Sequence, residues 1–122
     1  IAQACGEAVW LTDESQIDAV TAVSGSGPAY LFYLTEALSA AAKSLGLADD
    51  TAEKLAKATV IGSAALMEQS TETPAKLRQN VTTPNGTTAA ALDVLMNPET
   101  GFEPLMKQAV KAAEIRSKEL GK

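Results

Sequence analysis

Residues 28–45 read PAYLFYLTEALSAAAKSL. Leu31, Leu34, Leu38, Ala41, Ala42 and Leu45 recur at three- and four-residue steps, which is the spacing of one face of an α-helix. Pro28 stands where a first helical residue belongs, since its missing N–H would have no partner there. Gly46 supplies the stop. The same period runs through most of the chain, and it decides the fold class as all-α.

A short helix is predicted over 16–23. A longer one over 51–69 is opened by Asp49 and Asp50, with Glu53 also near its positive end. Its apolar and small positions are Leu55, Ala58, Thr59, Gly62, Ala65 and Leu66. Gly62 costs that helix about 1 kcal/mol relative to Ala, so it is expected to mark a close helix contact. Short helices follow over 74–81 and 88–96. An amphipathic helix over 102–120 ends at Gly121. Only Glu7–Thr12 reads as a strand, and one strand cannot make a sheet. It must pair outside this sequence or not be a strand. The chain starts at Ile1 without Met, so it is read as a piece of a longer protein.

Composition narrows the chemistry. At 122 residues the chain suits one domain. A net charge of −5 offers no basic stripe for phosphates, which excludes a nucleic-acid partner. No apolar run is long enough to span a bilayer. Cys5 is the sole cysteine, read as a small buried residue, and a cytoplasmic protein is expected. With no histidine there is no Ser-His-Asp triad and no His-ligated zinc, and no metal is expected. Aromatics are 4% of residues, while Ala is close to a fifth. A core of such small residues buries little, and a partner surface is expected to supply part of the stability.

Two stretches carry possible chemistry. Residues 82–92 read TTPNGTTAAAL. Thr83 precedes Pro and is held extended, and Asn85-Gly86 tolerates a turn. Thr87 can cap the helix that follows. That helix has no carboxylate in its first turn, and no acidic residue lies between Glu72 and Asp93. A bare helix start attracts anions, a carboxylate among them. On spacing alone, an ordinary turn with Thr side chains satisfying the N–H groups explains the same residues.

Ser24-Gly25-Ser26-Gly27-Pro28 lets backbone approach a ligand closely, or simply connects two helices. It lacks the third glycine of a dinucleotide fingerprint. Tyr30 and Tyr33 are expected in the core with hydroxyls at its rim. Asp49 and Asp50 answer a helix dipole rather than a cation.

Together, AVSGSGPAYLFYLTEAL (22–38) and LRQNVTTPNGTTAAALDVL (77–95) resemble the C-terminal domain of the pyrroline-5-carboxylate reductases, as does the tail GFEPLMKQAVKAAEIRSKEL (101–120). Asn85 departs from the pattern, where that family usually has a second Gly. The resemblance implies a helical bundle, 13–122, that interlocks with a second chain. It makes 1–12 the remnant of an N-terminal Rossmann domain otherwise missing. It implies reduction of 1-pyrroline-5-carboxylate to L-proline with hydride from NADPH or NADH. The substrate carboxylate would be held by the backbone N–H groups of Gly86, Thr87 and Thr88. Val81, Thr82 and Thr83 would shape the pocket wall, and the Thr88 hydroxyl would lie near the imine nitrogen. Ser24, Gly25, Ser26, Gly27 and Pro28 would face the nicotinamide of NADP or NAD. A homodimer is implied, and rings of dimers are compatible with it. The chain alone is expected to be inactive. Two other readings fit the helices: a stand-alone oligomerisation module, and the dimer domain of another imine or hydroxyacid reductase.

Overall fold

A computed structural model describes residues 7–122. Ile1 and Cys5, with the first half of the expected Rossmann remnant, lie outside the described residues. The chain divides into two compact units. Residues up to Gly27 together with Met106–Lys122 form one, and Pro28–Leu105 form the other.

Every regular element among the described residues is helical, as the apolar period predicts. Glu7–Thr12 contributes no strand. Val9 and Trp10 are instead exposed, at 78% and 94%, on a stretch with no neighbouring strand to pair with.

In the first unit, Asp13 opens the helical run by accepting a 2.9 Å hydrogen bond from the Ser15 backbone N–H. A 3-10 turn (Glu14–Gln16) leads into α1 (Ile17–Val20), which widens into a π-helical turn (Thr21–Gly25). Ala22 in that turn is fully buried. The helix over Phe102–Leu120, α6, returns to α1 through Ser117, whose hydroxyl donates to Asp18 Oδ1 at 2.6 Å. On α6 itself Glu114 accepts from Lys111 at 2.6 Å and from Lys118 at 2.8 Å.

In the second unit, α2 (Gly27–Ser44) ends where Gly46 turns to φ 94°. The Gly46 N–H bonds to Lys43 O and the Leu47 N–H to Ala42 O, the pair of bonds that defines a Schellman stop. Next comes α3 (Asp49–Gln69), with Asp49 and Asp50 in its first turn. Lys43 spans the corner to Glu53 at 3.0 Å. Thr73 caps α4 (Pro74–Asn80) by accepting from the Lys76 N–H at 3.2 Å, and Pro74 takes the first helical position. After α5 (Thr87–Leu95), Asn97 Oδ1 gathers the N–H groups of Glu99 and Thr100. Gly101 is buried at the start of α6, and a Cβ there would sit 2.6 Å from Asn97 O and 2.8 Å from Asn97 N.

Among the described residues, the apolar ones that are enclosed are Ala22, Ala52 and Ala56. Phe32, Tyr33, Ile61, Val94 and Leu105 remain mostly exposed. Two expectations change accordingly. Tyr33 is 72% exposed rather than in the core. A Cβ on Gly62 would meet nothing within 4 Å, so this chain makes no close helix contact there. Small residues bury little within one chain, and the larger apolar side chains they accompany stay uncovered.

Candidate functional site

Three local rules build the stretch 81–88. At the end of α4, Val81 leaves helical geometry (φ −103°, ψ 11°) and Thr82 turns its hydroxyl back onto Arg78 O at 2.6 Å. Pro84 then fixes the second position of a turn, and Asn85 takes φ 61° at the third. The Gly86 N–H closes that turn on Thr83 O at 3.0 Å. Proline followed by a residue with positive φ is the pattern of a type II β-turn.

Gly86 is the N-cap of α5, with extended backbone (φ −86°, ψ −178°) that any residue adopts. Its requirement for glycine is steric, since a Cβ would collide with Thr83 Oγ1 and come within 3.1 Å of Thr83 O.

This corrects two sequence expectations. Thr87 does not cap α5; it is the first helical residue, one position after the cap. The Gly86 N–H is not available to an anion, because the turn uses it. No side chain caps α5, and its first backbone bond is Ala90 N–H to Gly86 O at 3.2 Å. The amides of Thr87, Thr88 and Ala89 therefore form the open end. Sequence reasoning missed Ala89, although Pro84-Asn85 carried the signal: a turn with Asn in its third position makes Gly86 the fourth, whose N–H closes it.

Thr88 and Ala89 are half-buried, as are Thr82 and Gly86, while Val81, Thr83, Pro84, Asn85 and Thr87 are exposed. No ionisable side chain lies between Arg78 and Asp93. Such a site can orient an anion through backbone dipoles and hydroxyls, and it carries no acid or base of its own.

Ser24-Gly25-Ser26-Gly27-Pro28 is not the flexible connection that its glycines suggest. Gly25 closes the π-helical turn, and the Ser26 N–H reaches Thr21 O at 2.9 Å. Ser24 gives its hydroxyl to Val20 O at 2.9 Å. Gly27 is buried, and Pro28 is the second residue of α2. Single π turns inside helices recur at functional sites. Ser24–Gly27 belong to the first unit, and 81–88 to the second. No group of three or more acidic, Cys or His side chains able to hold a metal occurs among the described residues. No helix among them is long and apolar enough to cross a membrane.

Comparison with known proteins identifies the family. The family model for pyrroline-5-carboxylate reductase dimerisation matches residues 14–120. The pyrroline-5-carboxylate reductase of Pseudomonas aeruginosa is 52% identical over 117 residues, covering 96% of this chain and 42% of that protein. That of Corynebacterium melassecola is 50% identical over 109 residues, covering 89% and 40%. Among solved structures, a pyrroline-5-carboxylate reductase from Coxiella burnetii superposes with a TM-score of 0.85 at 44% identity, over 92% of this chain and 41% of that one. The Plasmodium falciparum pyrroline carboxylate reductase with NADP bound gives 0.82 at 33% identity, over 90% and 41%. This chain thus spans about two-fifths of the length of the relatives it matches. The chain belongs to the pyrroline-5-carboxylate reductase dimerisation family.

Proposed function

We propose that this member of the pyrroline-5-carboxylate reductase dimerisation family forms the substrate-holding and dimer-forming part of an enzyme that reduces 1-pyrroline-5-carboxylate to L-proline in proline biosynthesis. The observation that carries the reading is the uncapped start of α5, with the amides of Thr87, Thr88 and Ala89 open beside two hydroxyls. A substrate carboxylate bonded to these amides gains from the helix dipole and from charge-assisted hydrogen bonds. Anchored there, the ring is fixed against Val81, Thr82 and Thr83, which orients its imine carbon for reaction.

NADPH or NADH supplies the hydride when bound. A separate Rossmann module holds most of that dinucleotide, with residues 1–12 as its last segment, and Ser24–Pro28, which begin at the end of the π-helical turn, face the nicotinamide. The exposed Ser24 and half-buried Ser26 suit a polar edge there, while the buried Gly27 keeps the backbone close. Thr88 holds the imine nitrogen by hydrogen bonding as that nitrogen gains a proton from solvent.

Family membership and the uncovered side chains of Phe32, Tyr33, Ile61 and Leu105 support a homodimer, and rings of such dimers fit the same reading. The assembled enzyme works in the cytoplasm, and this chain alone is inactive.

An NMR titration with L-proline tests the anchor. Amide shifts should concentrate at Thr87, Thr88 and Ala89 and leave Gly86 less affected. Shifts scattered over other helices overturn it. In the full-length enzyme Thr88→Ala should lower turnover, and unchanged kinetics would remove Thr88 from the mechanism.

A further inference from the structure

We propose that Asn85 is a site of spontaneous deamidation, gated by the hydrogen bond between Gly86 N–H and Thr83 O. The chain has three asparagines, Asn80, Asn85 and Asn97, and their surroundings differ in the features this chemistry depends on. The reaction begins when the backbone nitrogen of the following residue attacks the asparagine Cγ. A bond forms from that nitrogen to Cγ, the bond from Cγ to the side-chain nitrogen breaks, and ammonia leaves with the backbone proton. Water then opens the resulting five-membered imide at either carbonyl, giving aspartate or isoaspartate.

Asn97 precedes Pro98, which has no backbone proton to give up, and its Oδ1 is held by two N–H groups at 2.9 and 3.0 Å. Asn80 precedes the β-branched Val81, which crowds the attacking nitrogen, and its Nδ2 is bound to Glu72 Oε2 at 2.7 Å. Asn85 precedes Gly86, which has no Cβ to obstruct the approach. Its side chain is exposed and is held by no hydrogen bond among the described residues. The Gly86 N–H must leave Thr83 O before its nitrogen can react. Because Thr83, Pro84 and Asn85 are all exposed, opening that turn uncovers no core.

The product adds a carboxylate two residues before Thr87. That new charge competes with an incoming anion for the same amides, a consequence that rests on the function proposed above. The chemistry itself does not rest on it.

The test is prolonged incubation of the folded protein at mildly alkaline pH, followed by tandem mass spectrometry. Trypsin should release 79–107 as one peptide containing all three asparagines. The expected result is a one-dalton gain localised to Asn85, well ahead of any at Asn80 or Asn97 and abolished in Asn85→Gly. No gain at Asn85, or equal gains at all three, overturns the proposal. A gain that appears only in chemically unfolded chain also overturns it, since the folded turn would then be protective. If the gain occurs but aged protein binds L-proline as fresh protein does, the deamidation stands and the carboxylate reading of α5 falls.

Discussion

Gly86 lies so close to Thr83 that its N–H meets the Thr83 carbonyl at 3.0 Å and no Cβ fits beside the Thr83 hydroxyl. One glycine thereby closes a turn, caps a helix and leaves the next three amides facing outward. Gly86→Ala should cost about 1–3 kcal/mol through this overpacking and displace the start of α5. Thermal unfolding checks the first effect and L-proline binding the second. Adding Thr83→Ala should recover part of the loss, because the hydroxyl can be removed but the Thr83 carbonyl cannot.

Asn85 sits at φ 61°, a conformation that glycine adopts freely and β-branched residues resist. Asn85→Gly should keep the fold near its original stability. Asn85→Val should lose roughly 1–2 kcal/mol from backbone strain. Equal melting temperatures for the two variants would show that this positive φ is not needed in solution.

Two further glycines should respond oppositely to alanine. At Gly101 the added methyl meets backbone atoms of Asn97 that have no side-chain freedom with which to yield. Gly101→Ala should therefore destabilise by about 1–3 kcal/mol or more. At Gly62 the space is open within the chain. Gly62→Ala should gain up to about 1 kcal/mol in helix propensity if that face stays free. Should a second copy pack closely there, the same variant will instead weaken self-association, and sedimentation separates the two outcomes.

Glu114 is held down to about 2 by its hydrogen bond from Lys111 and then by that from Lys118. Its pKa in the fold lies below the value of 4.5 it has when unfolded, so the stabilisation is complete above that value. It is lost as pH falls from there toward about 2. Glu114→Gln should lower stability in the neutral region, where the wild-type contribution is complete, and so flatten the acid limb of the profile. An identical acid limb in the variant would remove these ion pairs from acid unfolding.

The helices were legible because their period is local. The starts and stops of α2, α3, α4 and α6 follow from local residues: Gly46, Pro74 and Gly121 act through their own backbones, Asp49 through its charge at the helix start, and Pro28 falls one position inside α2. Misreadings cluster where one residue's role depends on another's bond. Thr87 reads as a cap until the Thr83–Gly86 turn makes Gly86 the N-cap. Ser24 to Pro28 read as a connection between two helices, whereas a five-residue π turn extends the helical run through Gly25 and leaves only Ser26 before α2. Tyr33 and Gly62 show a different limit. What covers them is not written in their own helices, so periodicity marks the face without identifying what it meets.

Among the described residues the enclosed apolar side chains are alanines, which leaves little to hold a solitary chain together. For the homodimer proposed above, mass action then governs persistence: dilution should lower the unfolding temperature, and mixing at high concentration should raise it. Newly made copies would reach their durable form only on encounter, which leaves a dilute pool open to proteolysis.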